Sequence, residues 1–174
     1  MKFMYSLLII IEIVLMGICA VKSFGKKGKL AEIVLYYEIV AFVCGIFFWL
    51  SSFFPDIKVT TLCMGVKFAC YDWLVILLMY YTQYSTGLFK GIRAVKIAMI
   101  LFSAVDSFVM IANVWTHKVF TISEITNSDI IIEYVKDGFF YRAHFLYNYI
   151  VIVVILIAFM FMIAKASRFY SFRY

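Results

Sequence analysis

Apolar residues gather into five runs along the chain, near Phe3–Val21, Ala31–Phe54, Val59–Tyr81, Ala94–Trp115 and Phe145–Ala164, with polar segments between them. Each matches the roughly 20 residues that carry a helix across a hydrocarbon core of about 30 Å. Backbone polar groups in lipid must be satisfied within the segment, so the runs are expected to be helices. The pattern predicts an all-α, polytopic transmembrane helix bundle of five spans, forming one domain over residues 1–174. Composition agrees: the chain is 66% hydrophobic and 20% aromatic, with a single proline. Its mean hydropathy is +1.01. A soluble domain of 174 residues has no interior large enough to hide that much apolar surface.

The polar segments predict the orientation. Lys22, Lys26, Lys27, Lys29, Lys90, Arg93, Lys96, Lys165, Arg168 and Arg173 fall on one side, and Lys2, Lys58, Lys118, Lys136 and Arg142 on the other. The basic-rich side is expected in the cytoplasm. This gives an N-out/C-in chain with the long segment between the fourth and fifth runs outside, where Glu124, Asp129, Glu133 and Asp137 offset its bases. The same asymmetry accounts for the net charge of +6 through contact with anionic membrane lipids. No basic face on a soluble domain offers itself to nucleic acid. The first run resembles the front of a signal peptide, but the lysines after Val21 oppose translocation, so a retained helix is expected. Cys19, Cys44, Cys63 and Cys70 contain no C-x-x-C pair and read as small hydrophobes.

Ionisable residues inside the runs ask for partners or functions. They are Glu12, Glu38, Lys67, Asp72 and Asp106. Counted inward from the outer ends, Glu12, Lys67 and Asp106 fall in one layer, roughly 12–14 Å deep. Lys67 is therefore expected to be neutralised by Asp106, Glu12 or both, and Glu38 and Asp72 to lie nearer the cytoplasm. The set reads either as helix–helix glue or as a ligand-linked or proton-linked switch.

Asp106, Asn113 and His117 are spaced seven and four apart, on one helix face, and His144 and Asn148 are four apart. These five are candidate ligand-binding residues near the outer mouth, where a histidine can titrate close to neutral pH. Two histidines alone do not make a metal site, so neither a metal nor a cofactor is expected. Val119–Ile122 and Ile130–Val135 are short β-branched or aromatic runs, and Asp137-Gly138 precedes a third apolar run. Asp-Gly between such runs signals a tight turn, so a small β-hairpin is expected over the outer mouth. Trp49, Tyr80, Tyr81 and Trp115 near the run ends read as interfacial anchors. No nucleophile elbow, phosphate-binding glycine loop or H-E-x-x-H is present, so no enzymatic activity is expected.

Several local patterns occur in a telling order. They are Trp49-Leu50-Ser51-Ser52-Phe53-Phe54-Pro55, Lys67-Phe68-Ala69-Cys70-Tyr71 and Tyr80-Tyr81-Thr82-Gln83-Tyr84-Ser85-Thr86-Gly87, followed by Asp106-Ser107, Asn113, His117-Lys118-Val119-Phe120 and His144-Phe145-Leu146-Tyr147-Asn148-Tyr149. Over nearly the whole chain this order resembles the N-terminal seven-helix sensor region of bacterial histidine kinases and diguanylate cyclases. The resemblance implies a multi-pass protein of the bacterial cytoplasmic membrane, a sensory input module that takes an extracellular or membrane-soluble small-molecule signal. It also implies a kinase or cyclase output on the cytoplasmic side, and it is compatible with a homodimer. The sequence departs from that family by ending at Tyr174, before a sixth and seventh helix, with no phosphoacceptor histidine region or cyclase motif. A small transporter or channel subunit, or a ligand-free scaffold, are the alternatives. Repeats common in transporters are not evident between the halves.

Overall fold

The computed structural model describes the backbone of residues 2–171 except 53, 55, 90, 92, 128 and 129, and the side chains among these outside 2–5, 123–137 and 165–171. Lys90 and the side chains of the tail, on which part of the orientation rests, lie outside the described residues, as do Lys2, Phe53, Pro55 and the acidic side chains of the long loop. Among the described residues there are five helices: α1 (Lys2–Ser23), α2 (Lys29–Ser51), α3 (Ile57–Thr86), α4 (Arg93–Thr116) and α5 (Phe139–Ser171). All five carry stretches long and apolar enough to cross a membrane. The chain is a membrane protein built as a helix bundle.

The longest helix before α5 becomes the hub. α3 packs against α2, α4 and α5, whereas α1 leans on α2. Most of the α3 span is buried, while most residues of the other four spans are half-buried or exposed, as expected where lipid tails replace water. α3 is also the best-terminated helix. Asp56 caps its start by accepting from the Lys58 N–H at 2.8 Å, and Gly87 ends it in the left-handed region with its N–H on the Gln83 carbonyl. Hydroxyls buried along it bond back to the preceding turn, as Thr61 does to Ile57 and Thr82 to Leu78. Such bonds let a hydroxyl sit in an apolar bundle without an open donor.

α3 and α4 meet at Gly65. A Cβ there would stand 2.5 Å from the Met110 carbonyl oxygen, so only glycine admits the α4 backbone. Next to this crossing, Met64, Phe68, Met110, Val119 and Phe120 form a buried cluster. Phe68 meets the rings of Phe120, Tyr141 and Phe145 edge-on at 5.5–5.7 Å between centroids. Edge-to-face rings add specific attraction to their burial.

Between α4 and α5 the backbone runs as β1 (Phe120–Asn127) and β2 (Ile130–Asp137), antiparallel, with Phe120 opposite Asp137 and Asn127 opposite Ile130. Asp137 ends β2 rather than turning a hairpin, which corrects the expectation drawn from Asp137-Gly138. Gly138 instead precedes α5. Its N–H donates to the Val119 carbonyl at 2.8 Å, and a Cβ would sit 2.6 Å from that oxygen. Close approach demands this glycine, and the helix then opens six residues earlier than the apolar run at Phe145 suggests.

Asn113, buried near the end of α4, ties that helix to the start of β1. Its Nδ2 donates to the Phe120 carbonyl at 2.8 Å, and its Oδ1 accepts from the Val119 N–H at 2.8 Å. Asn113→Ala removes both bonds and strands a buried N–H and C=O, which should cost about 2–4 kcal/mol. Reversible unfolding of the purified chain in detergent micelles would read this as a lowered midpoint; an unchanged midpoint would refute the clamp.

Candidate functional site

Three helices each bring one ionisable side chain to a common point. Gly65 fixes the separation of α3 and α4, and Asp72 lies two turns further along α3. Asp106 lies one turn from Met110 on α4, and its carboxylate and that of Asp72 each bring an oxygen to within 4.8 Å of the other. α5 enters from the β2 end, and its second turn presents His144, whose ring rests 5.6 Å from that of Phe68. Asp72 and His144 are completely buried, and Asp106 and Asn148 are 7% exposed.

The contacts are short. His144 Nδ1 lies 2.5 Å from Asp106 Oδ2 and 3.3 Å from Asp72 Oδ1. Facing two acceptors, Nδ1 is the nitrogen that carries a proton in this arrangement. Ser107 donates to Asp72 Oδ2 at 3.4 Å. Asn148, one turn beyond His144, donates through Nδ2 to Asp72 Oδ1 at 3.0 Å and to the His144 carbonyl at 3.2 Å. The same Nδ2 is 3.3 Å from His144 Nε2. The amide oxygen of Asn148 is buried with no hydrogen-bond partner. One level further, the Tyr147 hydroxyl meets Ser103 Oγ at 3.1 Å.

A hollow of about 300 Å³ leads to this cluster from the side of the bundle. Tyr37 of α2, Leu74 and Leu78 of α3, and Phe145 and Ile152 of α5 wall it, and His144 and Asn148 close its polar end. A second hollow of about 240 Å³ shares Tyr37 and Leu78 with the first and continues to Tyr81. From Tyr71, at the cluster end, to Tyr81 the pair follows α3 for about 15 Å.

No family model, curated protein or solved structure matches the chain. The chemistry open to the site follows from its geometry. It offers a buried proton-sharing pair, an apolar hollow with a polar end, and three donors from Asp72, Asp106 and His144 that lie within 4.8 Å of one another, a grouping able to hold a metal ion.

The structure regroups the residues singled out in the sequence. Asp106, His144 and Asn148 come together, joined by Asp72, which the sequence reading placed apart and nearer the cytoplasm. Helix ends explain the difference. Asp72 is 15 residues into α3, Asp106 ten from the end of α4 and His144 five into α5, so equal depth does not follow from equal counting. Asn113 is consumed by the β1 clamp. His117 is exposed at the end of α4, with a backbone φ of 51°. Lys67 is buried with its ammonium 4.8 Å from the Phe48 ring centroid and 4.9 Å from that of Phe68, and Asp106 directs Oδ2 to His144. Glu12 is on the exposed face of α1, and Glu38 keeps a buried oxygen with no hydrogen-bond partner. Ser103, Ser107 and Tyr147 were not anticipated. A signal for the two serines existed, since Ser103, Asp106, Ser107, Met110 and Asn113 follow helical spacing and form the buried stripe of α4.

Proposed function

We propose that the chain is a membrane-embedded input module that admits an elongated, membrane-soluble molecule from the side of the bundle. Its apolar body lies along α3 between α2 and α5, and its hydroxyl head meets Asn148 beside His144. The observation that carries this reading is the apolar hollow lined at one end by His144 and Asn148, together with the buried amide oxygen of Asn148 that has no partner. A cluster serving only as helix glue would have no reason to keep that acceptor open beside a cavity. In this reading the N-terminus is outside and the C-terminus in the cytoplasm, β1 and β2 lie over the outer mouth, and the membrane is a bacterial plasma membrane. A ligand that favours one spacing of α3 and α5 shifts the population of bundle states, and the cytoplasmic ends of those helices carry the change toward an output. The resemblance to seven-helix sensor regions supports the same direction of signalling.

Leu78 borders both hollows, so Leu78→Trp should fill them. Mass spectrometry of organic extracts from purified chain is expected to find a hydroxyl-bearing apolar molecule in near-stoichiometric amount, and to find it gone from Leu78→Trp. Identical extracts from the two proteins would refute the proposal.

A further inference from the structure

We infer that Asp72, Asp106 and His144 form a binding site for a divalent transition-metal cation, with Asn148 positioning the histidine. One donor comes from each of α3, α4 and α5. Imidazole nitrogen combined with carboxylate oxygen suits zinc and its first-row neighbours. A dication and two carboxylates sum to zero charge, which favours a site inside a membrane bundle, where an unbalanced charge is costly.

The distances are close to what ligation needs. Two donors bound to one tetrahedral zinc at about 2.0–2.1 Å stand about 3.3 Å apart. His144 Nδ1 and Asp72 Oδ1 already have this separation, at 3.3 Å. His144 and Asp106, at 2.5 Å, have to open by about 0.8 Å, a small adjustment of two side chains, to reach the same ligand spacing. His144 is five residues into α5, about 8 Å from the start of the helix.

Asn148 supplies an independent observation. A cation on Nδ1 moves the imidazole proton to Nε2. Nε2 then faces Asn148 Nδ2 at 3.3 Å, a donor against a donor. In exchange for the bond that Nδ2 now gives the His144 carbonyl, a half turn of the amide lets the oxygen that is now buried without a partner accept the Nε2 proton. That bond fixes the tautomer the metal requires, the usual task of a group behind a metal-bound histidine. The half turn also aims Nδ2 toward the hollow, where a hydroxyl head can accept it.

The test uses the full chain in lipid nanodiscs with zinc or cobalt(II) as the probe. Titration is expected to give one saturable equivalent, with visible cobalt bands of nitrogen and oxygen ligation and without the near-ultraviolet thiolate band that Cys44, Cys63 or Cys70 would produce. His144→Gln and Asp106→Asn should each weaken binding at least about tenfold, Asn148→Leu about tenfold, and Asn148→Asp should restore it. His117→Gln, at an exposed histidine, should change nothing. No saturable binding by the folded unmodified chain, or binding that survives His144→Gln in a chain of normal helicity, would overturn the site. The inference does not depend on the membrane-soluble ligand: Leu78→Trp should lose the co-purified molecule and keep the metal, so the two can fail separately.

Discussion

Replacing His144 with leucine is expected to cost about 3–5 kcal/mol of folding free energy, the range found when one partner of a buried ion pair is removed. The imidazole separates and bonds two carboxylates, Asp106 at 2.5 Å and Asp72 at 3.3 Å. Leucine leaves both facing an apolar side chain, with Ser107 and Asn148 still donating to Asp72. The loss should shrink sharply when Asp106→Asn is made together with His144→Leu, because the uncompensated charge is gone. A double-mutant cycle from detergent unfolding would read this as a coupling of about 2 kcal/mol. Additive losses would mean that the pair does not interact.

Gly65→Val should be nearly as damaging, at about 3 kcal/mol, the upper range for overpacking. The new Cβ would meet the Met110 carbonyl oxygen at 2.5 Å and the Ile111 Cα at 3.2 Å. Both are backbone atoms, so the helices must separate rather than a side chain turning away. Gly17→Ala is the control: its Cβ would meet only the end of the Phe42 ring, at 3.2 Å, and the ring can give. Its loss should stay below about 1 kcal/mol. Gly65→Val should also weaken zinc binding, since two turns of α3 beyond Gly65 place Asp72. A valine variant that unfolds at the wild-type midpoint would refute the crossing.

Five spans were legible because a run of about 20 apolar residues has few other uses. Their ends were not. Thr82–Thr86 and Phe139–Arg142 extend α3 and α5 past the apolar runs, since hydroxyls can bond back to their own helix and Gly138 admits the start of α5 next to Val119. The α5 extension moves His144 a turn and more into its helix, so the sequence separated residues that the fold unites. Helical spacing did show His144 and Asn148 on one face, and Asp106 and Asn113 on another. It could not show that Asn113 bonds the backbone of β1, because that partner is set by the path of the loop. Lys67 was read by charge alone, and the Phe48 and Phe68 rings that flank its ammonium could not be foreseen from spacing.

Placing one donor on each of three successive helices also sets a schedule for biosynthesis. Asp72 and Asp106 are both made before the ribosome reaches His144. While α5 is still being synthesised, two carboxylates must be housed in the membrane without their imidazole. They can wait protonated, or near the translocation channel, until α5 arrives. A ribosome stalled before His144 would leave an intermediate with those carboxylates exposed to quality-control proteases, and completion of α5 is the step that removes the exposure.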